Sequence, residues 1–241
     1  MFRHKGKTRT FKHNLRLAAL LSFIAGLVNI TGVLFLKTLT TNVTGHFAFF
    51  AEELMQKNYF VAFTFLLFIF SFLLGAFIAS LITEFYVERG VISAHKYPMI
   101  LEILILFIIG VGGNHFFVLG LHTIVACFLL FAMGIQNSLV TQISNSTVRT
   151  THLTGLFTDL GIELSQLFFY KKEEQKERLK KSIKLRLAII SYFFIGCVVG
   201  GFLYFLLSVQ TLIIGSVLLL LALLYDVLLF RYYKLKRKSR R

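Results

Sequence analysis

The 241-residue sequence predicts an all-α integral membrane protein of about six transmembrane helices, built as two three-helix inverted repeats. Each repeat is expected to carry one short polar half-helix. Three observations carry this reading. The chain is 56% hydrophobic and only 15% charged, against about 25% charged in a soluble domain. Its apolar residues fall into blocks long enough for a bilayer, which needs about 20 helical residues. And one polar segment occurs twice. Residues 40–54 read TTNVTGHFAFFAEEL and residues 150–164 read TTHLTGLFTDLGIEL, with seven of fifteen positions identical.

The apolar blocks are roughly 15–36, 59–83, 98–114, 116–141, 186–208 and 211–231. The third is the shortest and contains Glu102, and Pro98 sits at its start, where a helix tolerates proline. The first block follows a basic leader, but it is too long for a signal-peptide core and more spans follow, so it is read as retained. Cys127 and Cys197 lie in apolar blocks without CxxC spacing and read as free thiols.

The net charge of +15 suggests nucleic acid, but its distribution excludes that partner. With both termini cytoplasmic, six Lys/Arg precede or open the first span, two lie in 84–97, nine in 142–186 and seven at the C-terminus. That places 24 of 26 inside, leaving Lys37 and Lys57 outside; this is the positive-inside pattern. The chain then divides into a basic cytoplasmic N-terminus (1–14), a first half (15–118), a second half (119–231, with a charged cytoplasmic loop at 171–186) and a basic tail (232–241). The basic segments either set topology alone or also meet anionic lipid.

A rival count makes 39–56 and 150–169 extra spans, giving eight and a parallel repeat. Glu52, Glu53, Asp159 and Glu163 argue against it, because a charge at mid-bilayer costs at least about 2.5 kcal/mol. Segments buried in protein, broken partway through the membrane, fit better.

The repeat extends past its opening match. Ala25-Gly26-Leu27-Val28-Asn29 pairs with Met133-Gly134-Ile135-Gln136-Asn137, and Phe72-Leu73-Leu74-Gly75 with Phe193-Phe194-Ile195-Gly196. Three spans per half make the second half enter from the opposite face. Inverted repeats place binding sites near the midplane, where the halves meet. The small-xxx-small pairs Gly75/Ala79 and Gly196/Gly200 suit close helix contact, inside the chain or at a homo-oligomer face.

In each copy the threonines suit helix N-caps, and a short helix is expected to start near Thr41–Thr44. Two helix N-termini converging at the midplane suit an anion, a carboxylate or a polar neutral solute. The expected binding residues are Thr41, Thr44, Gly45, His46, Thr151, Thr154, Gly155 and Asp159, oriented by Asn29, Gln136 and Asn137. The same threonines, glycines and amides could instead serve helix packing alone, with the amides tying the broken helices together. Glu53 and Glu163, at matched positions, are expected to pair with Lys37, Lys57 or Arg149, or else to titrate. No catalytic motif and no metal-ligand spacing occurs, so neither an enzyme nor a cofactor is expected.

The motifs A-G-x-x-N (25–29), T-x-x-T-G (41–45), F-x-x-G-A (72–76), M-G-I-Q-N (133–137) and T-T-x-x-T-G-x-x-T-x-L-G (150–161) resemble the YoaK family of uncharacterised bacterial inner-membrane proteins. The resemblance covers nearly the whole chain. It implies a cytoplasmic-membrane protein of about six spans and implies no activity. The family usually has Asp where this chain has Asn29, and Asn where it has His46. From the residues, the functional expectation is a small-solute permease with its site between the two repeated segments. The alternative is a non-transporting accessory or lipid-interacting protein.

Overall fold

The computed structural model describes residues 10–91 and 93–238, with side chains as far as residue 229. The basic leader 1–9 and the tail end 239–241 lie outside the described residues, so expectations placed on them are not addressed. Among the described residues there are eight α-helices and no strand: α1 (Phe11–Leu36), α2 (Val43–Met55), α3 (Tyr59–Glu88), α4 (Lys96–Val118), α5 (His122–Ser144), α6 (Leu153–Phe169), α7 (Glu173–Leu207) and α8 (Thr211–Lys238).

Five helical stretches are long and apolar enough to cross a membrane. Four are α1, α3, α4 and α5. The fifth runs 57 residues from Glu173 to Leu229. A 3-10 turn at Ser208–Gln210, with Ser208 at φ 53°, interrupts it and separates α7 from α8. The duplicated segments α2 and α6 have 13 and 17 residues. At 1.5 Å per residue they reach only about 20 and 25 Å, short of a ~30 Å hydrocarbon core.

The helix ends differ from the sequence expectation in three places. The expected charged loop 171–186 is helical from Glu173 onward. Its Lys-, Glu- and Arg-rich residues are strong helix formers, and Glu173–Lys176, Glu174–Arg178 and Glu177–Lys181 pair along one exposed face. The connection between α4 and α5 sits at Leu119–Leu121, where Gly120 takes φ 76°, so α5 begins later than residue 116. The threonines do not cap the short helices: Asn42 caps α2 through the Gly45 N–H at 3.1 Å, and His152 precedes α6 with no side-chain cap.

α1 and α5 form the centre. Buried residues make up 50% and 61% of their most apolar stretches, against 17% for α3. Leu17, Leu21, Ile24 and Leu27 of α1 and Leu129, Leu130, Met133 and Ile135 of α5 are fully enclosed. The outward faces of α3 and α7 carry exposed Phe60, Phe70, Phe77, Phe194, Phe202 and Phe205, an apolar surface suited to lipid rather than water.

Each central helix packs on the third helix of the other half: α1 on α7, and α3 on α5. Four glycines let these backbones touch. A methyl group added to Gly26 would overlap the Phe193 carbonyl oxygen, and one on Gly134 would overlap that of Phe72. Gly75 meets the Phe131 carbonyl and Gly196 that of Phe23 in the same way. These eight residues are the matched pairs of the sequence repeat. In a bilayer, where apolar side chains gain little by leaving lipid, such close approach is a main source of helix association.

Because the overlapped atoms are backbone, they cannot turn aside. Gly75→Ala and Gly196→Ala should each lower unfolding stability in detergent by about 1–3 kcal/mol. Gly161→Ala, where an added methyl meets nothing, should be neutral or stabilising by up to about 1 kcal/mol. Equal effects at all three positions would contradict the crossing geometry.

Candidate functional site

Each central helix stops in the same manner. α1 ends at Leu36 with Lys37 in the left-handed region (φ 57°), and α5 ends at Ser144 with Asn145 there (φ 51°). The chain then folds back beside the helix it has left, over residues 37–42 and 145–152. Backbone N–H groups freed at such a break need acceptors, since unpaired ones cost several kcal/mol away from water.

Two asparagines supply acceptors. Asn29 Oδ1 accepts from the Thr40 N–H at 3.1 Å, the Thr41 N–H at 3.3 Å and the Thr41 hydroxyl at 3.0 Å. Asn137 Oδ1, the matched residue, accepts from the Thr151 hydroxyl at 3.2 Å. Inside the second turn, the Ser144 hydroxyl also accepts from the Val148 N–H at 2.9 Å.

Between the folded-back segments lies a cavity of about 880 Å³. Both T-T-x-x-T-G segments line it. Its walls are matched pairs: Asn29 and Asn137, Thr41 and Thr151, Asn42 and His152, Thr44 and Thr154, Phe72 and Phe193. Gly45 lines it as well. Leu39 and Arg149, at matched positions, both line it and differ most, one apolar and one cationic. The Thr44 and Thr154 hydroxyls have no hydrogen-bond partner among the described residues.

A second cavity of about 670 Å³ adjoins it. Gly155 and Asp159 line this one, with Lys181, Ser182 and Arg186 from α7. Arg149 and His152 line both cavities and so stand at their junction.

Two expected site residues face neither cavity. His46 is buried, with its ring stacked on Phe65 at 5.9 Å, edge-on to Phe68 at 5.3 Å, and Nε2 2.7 Å from the Leu39 carbonyl. Gln136 is fully buried and donates to the Leu21 carbonyl at 2.7 Å, tying α5 to α1. Glu102 is fully buried in α4 and lines neither cavity.

The matched acids part company. Glu163 does not meet Lys37, Lys57 or Arg149. It accepts from Arg186 Nε at 2.8 Å and from the Ser182 hydroxyl at 2.6 Å, and Asp159 accepts from the same guanidinium at 2.8 Å. Glu53 accepts from the Asn58 amide at 2.9 Å. At the positions matching Asp159 and Arg186 stand Phe49 and Phe65, whose rings pack at 5.3 Å. One half therefore closes its α6–α7 contact with charge, and the other closes α2–α3 with aromatic rings. Arg149 was expected from sequence only as a topology signal and an ion-pair partner for Glu53 or Glu163, and Arg186 was not singled out. The signal available for both was a cation shortly before a repeated segment, at a position where the other copy is apolar.

Among the described residues, no three His, Cys, Asp or Glu side chains come together as a metal site.

Asn29 satisfies three donors and Asn137 one. Asn29→Ala should lower detergent unfolding stability by about 2–4 kcal/mol, and Asn137→Ala by about 1 kcal/mol. Asn29→Asp keeps the acceptor and should cost least at that position. Arg186→Ala leaves the largely buried Glu163 without its cation and should cost about 1–3 kcal/mol, whereas the swap Asp159→Asn should cost less than 1 kcal/mol.

A family model described as a protein of unknown function, DUF1275, matches residues 17–225. The UPF0700 transmembrane protein YoaK of Bacillus subtilis (strain 168) is 27% identical over 177 residues, covering 73% of this chain and 78% of YoaK. No solved structure matches. With several helices long and apolar enough to cross a bilayer, the chain is a multi-pass membrane protein, and it belongs to the DUF1275 family.

Proposed function

We propose that this protein is a small-solute permease of the bacterial cytoplasmic membrane, and that the solute sits in the cavity between the two T-T-x-x-T-G segments. The observation that carries the reading is the shared cavity itself. An accessory protein could fill the space between two repeated polar segments with Phe and Leu side chains. Here the space is open, and beside Leu39, Val43, Phe72, Leu153 and Phe193 its walls carry hydroxyls, amides and one guanidinium.

In this reading the six spans are α1, α3, α4, α5, α7 and α8, with both termini cytoplasmic. α2 and α6 are half-membrane helices reached from opposite faces, and the halves 15–118 and 119–231 form an inverted repeat. Support comes from the matched glycine crossings, the matched asparagine acceptors and the placement of Lys/Arg. Thr41, Thr44, Gly45, Thr151 and Thr154 contact the solute directly; Asn29 and Asn137 position them. Gly155 and Asp159 line the approach. Transport works by one half rocking against the other about the fixed site. The reading contains no chemical step, no cofactor and no metal. The aromatic contact at Phe49/Phe65 and the ionic contact at Arg186 are then the two places where the halves differ, one suited to the outer side and one to the charged inner side.

The test is solute flux into proteoliposomes together with the double variant Thr44→Val/Thr154→Val. The variant should fold and insert normally, because both hydroxyls are unpartnered, while uptake falls by about tenfold or more. Unchanged uptake in the variant would remove the site. A reporter fused at residue 90 should read as cytoplasmic; an external signal there would replace six spans with eight.

A further inference from the structure

We propose that the central cavity binds a small anion, and that Arg149 is the group that anchors it. This rests on the permease reading for its transport consequence, but the binding site stands on its own observations. The cavity walls contain one guanidinium, Arg149, and no carboxylate. Arg149 has no ion-pair or hydrogen-bond partner among the described residues. Arg149 is exposed on the wall of this open-sided cavity, and a cation placed there with no paired carboxylate raises the local concentration of anions. Its planar fork suits oxygen anions such as carboxylates, sulfate or phosphate.

The two halves differ just where this site would lie. In the first, the matched residue is Leu39, and the start of α2 is closed by the Asn42 side chain. In the second, Arg149 precedes α6, and His152 lies against Gly155 without capping the helix. The first N–H groups of α6 therefore keep no side-chain acceptor. The free Thr154 hydroxyl is a further donor. All these donors lie on the Arg149 side of an otherwise matched cavity.

The approach has the same bias. Arg149 also lines the adjoining cavity, whose other charged walls are Lys181, Arg186 and Asp159, and Asp159 is already held by Arg186. An anion entering there meets Arg149 at the junction and passes it into the central cavity.

The test is thermal unfolding of the purified full-length protein in detergent. Sodium formate, acetate, chloride, sulfate and phosphate are titrated, each beside Arg149→Leu at the same ionic strength so that general salt effects cancel. A ligand of the folded state raises Tm along a saturating curve. At least one of these anions should do so. Arg149→Leu, which installs the residue the matched position carries, should weaken the apparent affinity roughly tenfold or more. Arg149→Lys should keep part of it. Replacing sodium by potassium or choline should change nothing.

Saturation by none of the anions, or the same saturation in Arg149→Leu, overturns the proposal. So does a response that follows the cation. Uptake of a neutral solute that Arg149→Leu leaves intact would overturn the anion site while keeping the permease. An Arg149-dependent anion shift with no flux into vesicles would keep the anion site and overturn the permease.

Discussion

A chain that leaves a helix and folds back beside it frees backbone N–H and C=O groups that need partners away from water, and the arrangement of this protein follows from how that is handled twice. Asn29 and Asn137 reach from the continuing part of α1 and α5 to the folded-back threonine segments. With those donors satisfied, the chain can turn aside and start α2 and α6. The turned-aside segments cannot close against each other, because each is held to its own central helix. The cavity between them is the space left over, and its polar walls are the residues that sit next to the breaks.

The crossing glycines fix the rest. Gly26, Gly75, Gly134 and Gly196 bring α1 onto α7 and α5 onto α3, so each half is clasped by the other. Association of this kind depends on backbone approach rather than on expulsion of water. It leaves the large aromatic residues of α3 and α7 free to face lipid. The two halves share this frame and differ in its fittings. His46, Phe49, Phe65 and Phe68 pack where the second half has Leu156, Asp159, Arg186 and Ile189. Leu39 stands where the second half has Arg149. Departures from the repeat therefore carry the chemistry that the repeat itself leaves unspecified.

Much of this was legible in the sequence because the repeat is local and strict. The T-T-x-x-T-G segments marked both breaks, and the small-residue spacings marked the crossings at Gly75 and Gly196; Gly26 and Gly134 stood out only as matched positions of the G-x-x-N spans. The segments holding Glu52, Glu53, Asp159 and Glu163 form helices of only 13 and 17 residues. What was not legible involves partners far apart in the chain. His46 and Gln136 look like site residues by position, yet tertiary packing turns one into an aromatic cluster and the other onto the Leu21 carbonyl. Glu163 finds Arg186, which lies 23 residues on, in a stretch read as a loop. That stretch is helical because its own charges pair at helical spacing. Arg149 was read as a topology signal and an ion-pair partner for Glu53 or Glu163; only the fold brings it to the junction of two cavities.

The claim on which the account turns is that the two repeated segments face one water-filled space. Its most direct test is a double-cysteine experiment in the membrane, with Thr44→Cys and Thr154→Cys combined in a Cys127→Ala/Cys197→Ser background. A short, water-soluble bis-maleimide should link the two positions within one chain, and either single cysteine should take up the reagent without forming the link. If both single cysteines react but the pair never joins, the segments open into separate spaces, and the shared site is contradicted.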